Sequence, residues 1–347
     1  MSALLHGFET IKRIPRPLTY DEALIDAELM LNNEATPAQI GAFLFAQQMR
    51  PESAEELLAF IDACLRRCYR YTVKDSIDCT GLGDGRRRTF MATFPAAFVL
   101  TACGLPTILH AGLSIPGADG ATIPELLTEL GVSTSRGTKE AFIAGSVKSG
   151  FLFVPTEDWC PELAAMRPIR EQLGITTIWN KAEKLLRFSD PAYMVVGVAD
   201  AADAEQTLAL LGKLGIRRGI VVQGEEGSED LPVDRQTRAY VWHDGYSDLY
   251  IIDPERLNLQ GERQEMEWTA TQQAEHGVSV LKGQAEAALQ KMVVLNSAVR
   301  LWIAEKVETI EEGIYRAQYA IEHGMALRKF NEWLATVSSP FGRPAPI

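Results

Sequence analysis

The chain is short of cysteine in any useful arrangement. Cys64, Cys68, Cys79, Cys103 and Cys160 form no Cys-x-x-Cys pair and no Cys/His cluster of zinc spacing, so neither a zinc site nor a disulfide framework is expected. An odd number of scattered thiols fits a reducing compartment, and Cys64 and Cys68, on one expected helix, read as packing residues. No apolar run approaches the length that spans a bilayer, and Met1 to Arg13 lacks the apolar stretch of a signal peptide; a cytoplasmic protein without a membrane partner is expected. Internal repeats and low-complexity linkers are missing as well. Positive charge is in deficit. With 34 Lys+Arg against 46 Asp+Glu the formal net charge is -12, which opposes long-range attraction to a polyanion and excludes a uniformly basic nucleic-acid coat. It leaves room for a local basic groove.

What is present is enough apolar material, 46% of 347 residues, to bury a core in one large domain or two unequal ones. The first seventy residues read as helices, because Thr19 with Glu22, Thr36 with Pro37 and Gln39, and Ser53 with Glu56 each pair an N-cap side chain with a reciprocal acceptor three residues on. Ile40, Phe43 and Leu44, then Leu57, Leu58 and Ile61, recur at helical spacing and predict an apolar face buried against a twin. From about Ile77 the pattern alternates. A helix is expected over Phe94 to Cys103, a short strand at Thr107 to His110, a glycine-rich loop from Ala111 to Gly120 and a helix from Ile123. Short apolar runs at Phe151–Val154, Met194–Val198 and Gly219–Val222 read as buried strands, and the helical stretch between the last two makes a βαβ unit with some parallel sheet. His243-Asp244-Gly245 marks a hairpin, helices return over 285–306 and 310–337, and Pro340 to Pro346 reads as a draped tail.

Chemistry concentrates in Cys79-Thr80-Gly81-Leu82-Gly83-Asp84-Gly85-Arg86-Arg87-Arg88-Thr89-Phe90. Glycine turns let backbone N–H groups converge on an anion, and arginine adds forked, permanently charged donors that match phosphate oxygens. The segment therefore predicts a phosphate-binding loop; an ordinary surface turn with solvated arginines is the competing reading.

Val294 to Ala298, Glu311 to Gly313, Ala320-Ile321 and Gly324 to Leu327 resemble the end of the anthranilate phosphoribosyltransferases, members of glycosyltransferase family 3. Leu18 to Ala23 and Ala38 to Leu44 resemble that family's opening helices, and Asp253 to Leu257 its post-hairpin turn. The resemblance implies an α/β protein of the nucleoside phosphorylase/phosphoribosyltransferase type. A small all-helical domain (1–76 plus about 163–189) would make a homodimer, and a larger α/β domain (77–162 plus 190–347) would carry a mixed, partly parallel central sheet. Phosphoribosyl pyrophosphate and magnesium would bind in the cleft between them.

On the family pattern, Gly81, Gly83, Asp84, Gly85, Arg86, Arg87, Arg88, Thr89 and His110 would bind phosphate. Arg170 and Asn180, joined by Lys181 and Lys184, would hold the acceptor or another anion, and Glu229 and Asp230 would hold magnesium. The departures are specific. The glycine loop carries Leu82 and an extra arginine triplet; a Lys-His-Gly-Asn-Arg clamp is replaced by Leu109-His110-Ala111-Gly112-Leu113; and basic Lys181 to Leu186 replaces a proline turn. In these loops the chain looks more like the family's divergent YbiB-like branch, associated with nucleic-acid binding. Three readings follow: a phosphoribosyltransferase for an aromatic or nitrogenous acceptor, a non-catalytic nucleic-acid-binding homodimer with a basic cleft, and a dimeric scaffold whose ancestral cleft has decayed.

Overall fold

The computed structural model describes residues 16–50, 52–114, 120–135, 138–262 and 265–338. The amino-terminal segment to Arg13, the middle of the Ala111 to Gly120 loop and the Pro340 to Pro346 tail lie outside them.

All three expected capping boxes form, at the starts of α1 (Tyr20–Leu31), α2 (Pro37–Gln48) and α3 (Ala54–Leu65). In each, the cap hydroxyl accepts an N–H of the first turn while a Glu or Gln reaches back, so the helix ends are fixed by sequence-local bonds. Their apolar faces turn inward: Ile40, Phe43, Leu44, Leu57 and Ile61 are buried within this chain. The face predicted to meet a twin is therefore used inside the protomer, because α1 packs on α3 and the later helices cover α2.

The α/β part begins at β1 (Ile77–Gly81), continues through α4 (Thr93–Ala102), β2 (Thr107–Ala111), α5 (Ile123–Glu129) and α6 (Lys139–Ser149), and reaches β3 (Phe151–Pro155). The chain then returns to the helical part as α7 (Thr156–Trp159), α8 (Pro161–Ala165), α9 (Arg167–Leu173) and α10 (Ile178–Lys184). Trp179 of α10 meets Phe60 of α3 edge-on at 4.6 Å, and Gln48 donates to the Thr176 carbonyl at 2.6 Å, which ties this excursion to the first helices. Three thiols, Cys64, Cys68 and Cys160, come together where the two parts cross, and the two neighbouring thiols hold Cys160 below the ordinary thiol range. That convergence of distant residues is absent from the linear spacing.

After the crossing come β4 (Tyr193–Val198), α11 (Ala201–Leu211), β5 (Arg218–Gln223), β6 (Thr237–His243) and β7 (Tyr246–Ile252), then α12 (Ala270–Leu281), α13 (Ala287–Ile303), α14 (Ile310–Glu322) and α15 (Met325–Val337). The strands form one sheet in the order β3-β2-β1-β4-β5-β6-β7. The first five run parallel and the last two are an antiparallel edge. Asp244 and Gly245 both take positive φ in the two-residue turn between β6 and β7, as a hairpin following the sheet twist requires. The expected helix over 310–337 is broken at Gly324, whose φ of 64° ends one helix and starts the next.

Strand order reverses direction at β1, with β2 and β3 on one side and β4 and β5 on the other. In doubly wound sheets the crevice outside the carboxyl ends of the strands at such a reversal is where ligands bind. Here those ends carry Gly81, His110 and Gly197.

Candidate functional site

A cleft of about 860 Å³, counting its open mouth, lies at that reversal. One wall is the β1 loop with Gly81, Gly83, Asp84, Gly85 and Arg86; the second is the end of β2 with His110; the third comes from the helical part, Arg170 of α9 and Asn180, Glu183 and Lys184 of α10; Glu229 closes the floor. Residues far apart in the chain thus meet where the topology predicts a ligand.

The cleft charges are matched inside the chain. Arg86 is 6% exposed and its Nη2 lies 2.5 Å from Glu229 Oε2. Arg170, 2% exposed, gives Nη1 to Glu183 Oε2 at 2.9 Å. Lys184 Nζ is 3.1 Å from Asp84 Oδ1 and also donates to the Gly83 carbonyl, while Asn180 Nδ2 reaches Asp84 Oδ2 at 3.3 Å. His110 Nδ1 is 3.2 Å from the buried Asp78 carboxylate and its Nε2 is 3.1 Å from the Lys184 carbonyl. Both ring nitrogens therefore face acceptors, an arrangement that favours the doubly protonated ring. Burial opposes that charge, yet Asp78 and the Lys184 carbonyl outweigh it and raise the His110 pKa.

The arginine triplet does not act together. Only Arg86 lines the cleft. Arg87 points outward to Glu267 at 2.7 Å, and Arg88, 63% exposed in its side chain, lies 3.5 Å from Glu225 and 3.9 Å from Glu226. Arg88 and Thr89 border a second cavity, of about 450 Å³ with its mouth, lined by Phe90 and Trp268. The expectation of a cation-rich cleft is corrected: Arg86 alone turns inward, Arg87 and Arg88 turn outward, and each guanidinium finds an acid. Lys181 is corrected likewise, since it leaves the cleft to bridge Glu52 at 2.6 Å and Asp203 at 2.8 Å. Leu82 does not line the cleft, and its N–H bonds the Gly197 carbonyl at 2.8 Å.

The acidic loop turns inward. Glu229 and Asp230 are 4% and 3% exposed. Asp230 has both oxygens engaged, Oδ1 by Arg300 Nη2 at 2.8 Å and Oδ2 by the Thr93 N–H at 3.1 Å. Burial and the adjacent Glu229 charge raise the Asp230 pKa to about 6 against the pull of Arg300 and Arg86. At Glu229 burial pushes the same way, but Arg86 and Arg300 prevail and hold it below the ordinary carboxylate range. Among the described residues no three His, Cys, Asp or Glu side chains gather as a metal site. With Glu229 Oε2 held by Arg86 and both Asp230 oxygens held by Arg300 and the Thr93 N–H, the pair is a poor fit for a magnesium ion, which needs oxygen donors free to coordinate.

Three contributors escaped the sequence reading: Asp78, Glu183 and Arg300. Asp78 lies one residue before Cys79, ahead of the glycine loop, and Glu183 and Arg300 look like ordinary helix-surface charges until packing buries them. Gly112 carried a faint signal. A Cβ there would strike the Glu183 carboxylate, so this glycine is what admits that acid to the cleft.

An α/β fold with a switch-point cleft joined to a small helical layer defines a class of ligand-binding proteins in which the helical part closes one wall of the site. The chain belongs to the glycosyl transferase family: the model of the family's a/b domain matches residues 73–327 and that of its helical bundle domain matches 8–68. An anthranilate phosphoribosyltransferase of Alkaliphilus metalliredigens is 28% identical over 87% of this chain and 89% of its own length. That of Caldicellulosiruptor saccharolyticus is 29% identical over 91% and 94%. Among solved structures, the anthranilate phosphoribosyltransferase of Thermus thermophilus superposes with a TM-score of 0.81 at 23% identity, covering 98% of this chain and 100% of that one. The Saccharomyces cerevisiae enzyme in complex with PRPP and Mg gives 0.80 at 21%, covering 97% and 99%. The small helical domain, the larger α/β domain with its mixed sheet, and the family expected from sequence are thus in place.

Proposed function

We propose that the cleft transfers a phosphoribosyl group from phosphoribosyl pyrophosphate to an aromatic or nitrogenous acceptor. The observation that carries this reading is the placement of the Gly81–Arg86 loop opposite Arg170 and Asn180 across one cleft at the strand reversal. In the reaction the ribose C1–O bond breaks with its electrons leaving on diphosphate, the acceptor nitrogen forms the C1–N bond, and its proton passes to water. Arg86 and the backbone donors of the glycine loop would stabilise the growing charge on diphosphate, and Arg170 would orient an anionic acceptor. Both arginines must then release their carboxylates, so substrate competes with Glu229 and Glu183. On this reading 1–76 with about 163–189 and 77–162 with 190–347 are the two domains. Exposed Ile25 of α1, Phe45 of α2 and Met49 just past its end form the homodimer face in place of the residues buried inside the protomer.

A second reading is the non-catalytic, nucleic-acid-binding homodimer; in its favour over catalysis, Leu109, Ala111 and Leu113 put no cation at the second phosphate clamp. Against its basic cleft, every cation lining the cleft among the described residues has an internal acid that a nucleic acid would have to displace. Titration calorimetry with phosphoribosyl pyrophosphate, with and without magnesium chloride, separates the two when paired with single-stranded DNA binding over a salt series. Heat with phosphoribosyl pyrophosphate and product from an amine-bearing aromatic acid support transfer. No heat at millimolar ligand, with DNA affinity that falls steeply with salt and is weakened by replacing Arg86, Arg87 and Arg88 with alanine, supports the binder. A Phe45→Glu/Met49→Glu chain is expected to sediment as a monomer.

A further inference from the structure

The Glu226 carboxylate sits in a ring of donors that has the form of an anion site. Its Oε1 accepts the N–H of Arg87 at 2.9 Å and of Arg88 at 3.0 Å, and its Oε2 accepts Arg88 N–H at 3.2 Å and the Thr89 hydroxyl at 2.7 Å. Consecutive backbone N–H groups with a hydroxyl beside them make the concave nest that proteins use for phosphate.

Reaching it bends the chain. Glu226 has φ of 57°, a left-handed conformation that a side-chain-bearing residue adopts at a cost. The turn also presses on the glycine loop: a Cβ on Gly83 would strike the Glu226 carbonyl, and one on Gly81 would come within 2.7 Å of the Gly227 carbonyl. The backbone approach that glycine allows to a phosphate is occupied here by the 225–227 turn.

We propose that the Arg87–Thr89 segment is a phosphate cradle held shut by Glu226, and that a diphosphate ligand gains it only when the 225–227 turn swings away. That the incoming anion is the diphosphate of phosphoribosyl pyrophosphate rests on the function proposed above; the cradle itself does not. Glu226 acts as a tethered competitor, so replacing it by glutamine weakens its hold on the donors and replacing it by glycine frees them, in neither case altering the donors themselves.

Calorimetry of the full chain with inorganic pyrophosphate as probe tests this in the wild type, E226Q and E226G. Glycine suits φ of 57° and glutamine keeps the shape, so at least one variant folds, as circular dichroism checks. Both are expected to bind pyrophosphate about tenfold or more tightly than the wild type, the scale on which a short tether makes an internal ligand compete. Adding T89V is expected to reverse much of the gain. Equal affinity in all three chains, no binding by any, or a gain untouched by T89V overturns the proposal. A gain for pyrophosphate with none for phosphoribosyl pyrophosphate supports the cradle while removing the transferase reading.

Discussion

Replacing Asp230 by alanine isolates the structural role of the acidic loop from a metal-binding one. Arg300 is 2% exposed, its Nη2 bonds Asp230 at 2.8 Å, and its Nε and Nη1 are buried without a hydrogen-bond partner among the described residues. Removing the carboxylate leaves a buried guanidinium whose charge is no longer met by its nearest acid, and such deletions cost about 3–5 kcal/mol. For a chain of this length the unfolding entropy is about 0.7 kcal/mol/K, so the melting temperature should fall by about 4–7 °C. Joint replacement by Asp230→Leu and Arg300→Met should recover most of the loss, because no unpaired charge remains. The assay is thermal unfolding by circular dichroism with and without magnesium chloride. A melting point within about 1 °C of the wild type, or wild-type stabilisation by magnesium that Asp230→Ala abolishes, refutes the assignment of Asp230 to Arg300.

The triplet should divide: Arg86→Ala is expected to cost about 3 kcal/mol or more by stranding Glu229, while Arg87→Ala and Arg88→Ala stay within about 1 kcal/mol in denaturant melts, as exposed pairs do. His110 has a raised pKa in the folded state, so its stabilising contribution is complete below the unfolded value of about 6.5 and is lost as pH rises through the folded one. Stability measured across that range should decline, and the decline should be smaller in His110→Gln. Burial, with Glu22 adding, raises Asp26 to about 7, so the cost of ionising it grows from the unfolded value of about 3.9 to that pH, is complete above it, and is small near pH 4. Asp26→Asn should therefore raise the melting temperature at pH 8 and leave it nearly unchanged at pH 4.

Much of this architecture was legible in the chain because its signals are local. Thr19, Thr36 and Ser53 start their helices through bonds that span three residues, Asp244-Gly245 fits only a tight hairpin, and the run at Met194 to Val198 needs burial on both faces. The glycine loop could be placed for the same reason, and the homology extends along nearly the whole length. The direction of each charge could not. Whether Arg86 turns inward while Arg87 and Arg88 turn out depends on the Ala121 bridge and on acids more than a hundred residues away, Glu229, Glu267 and Glu225. Linear order records which groups exist; three-dimensional packing alone determined their pairing. Coulomb attraction and desolvation act over a few ångströms of space, so an arginine-rich stretch that reads as a basic groove becomes, once folded, a cleft with its charges already answered.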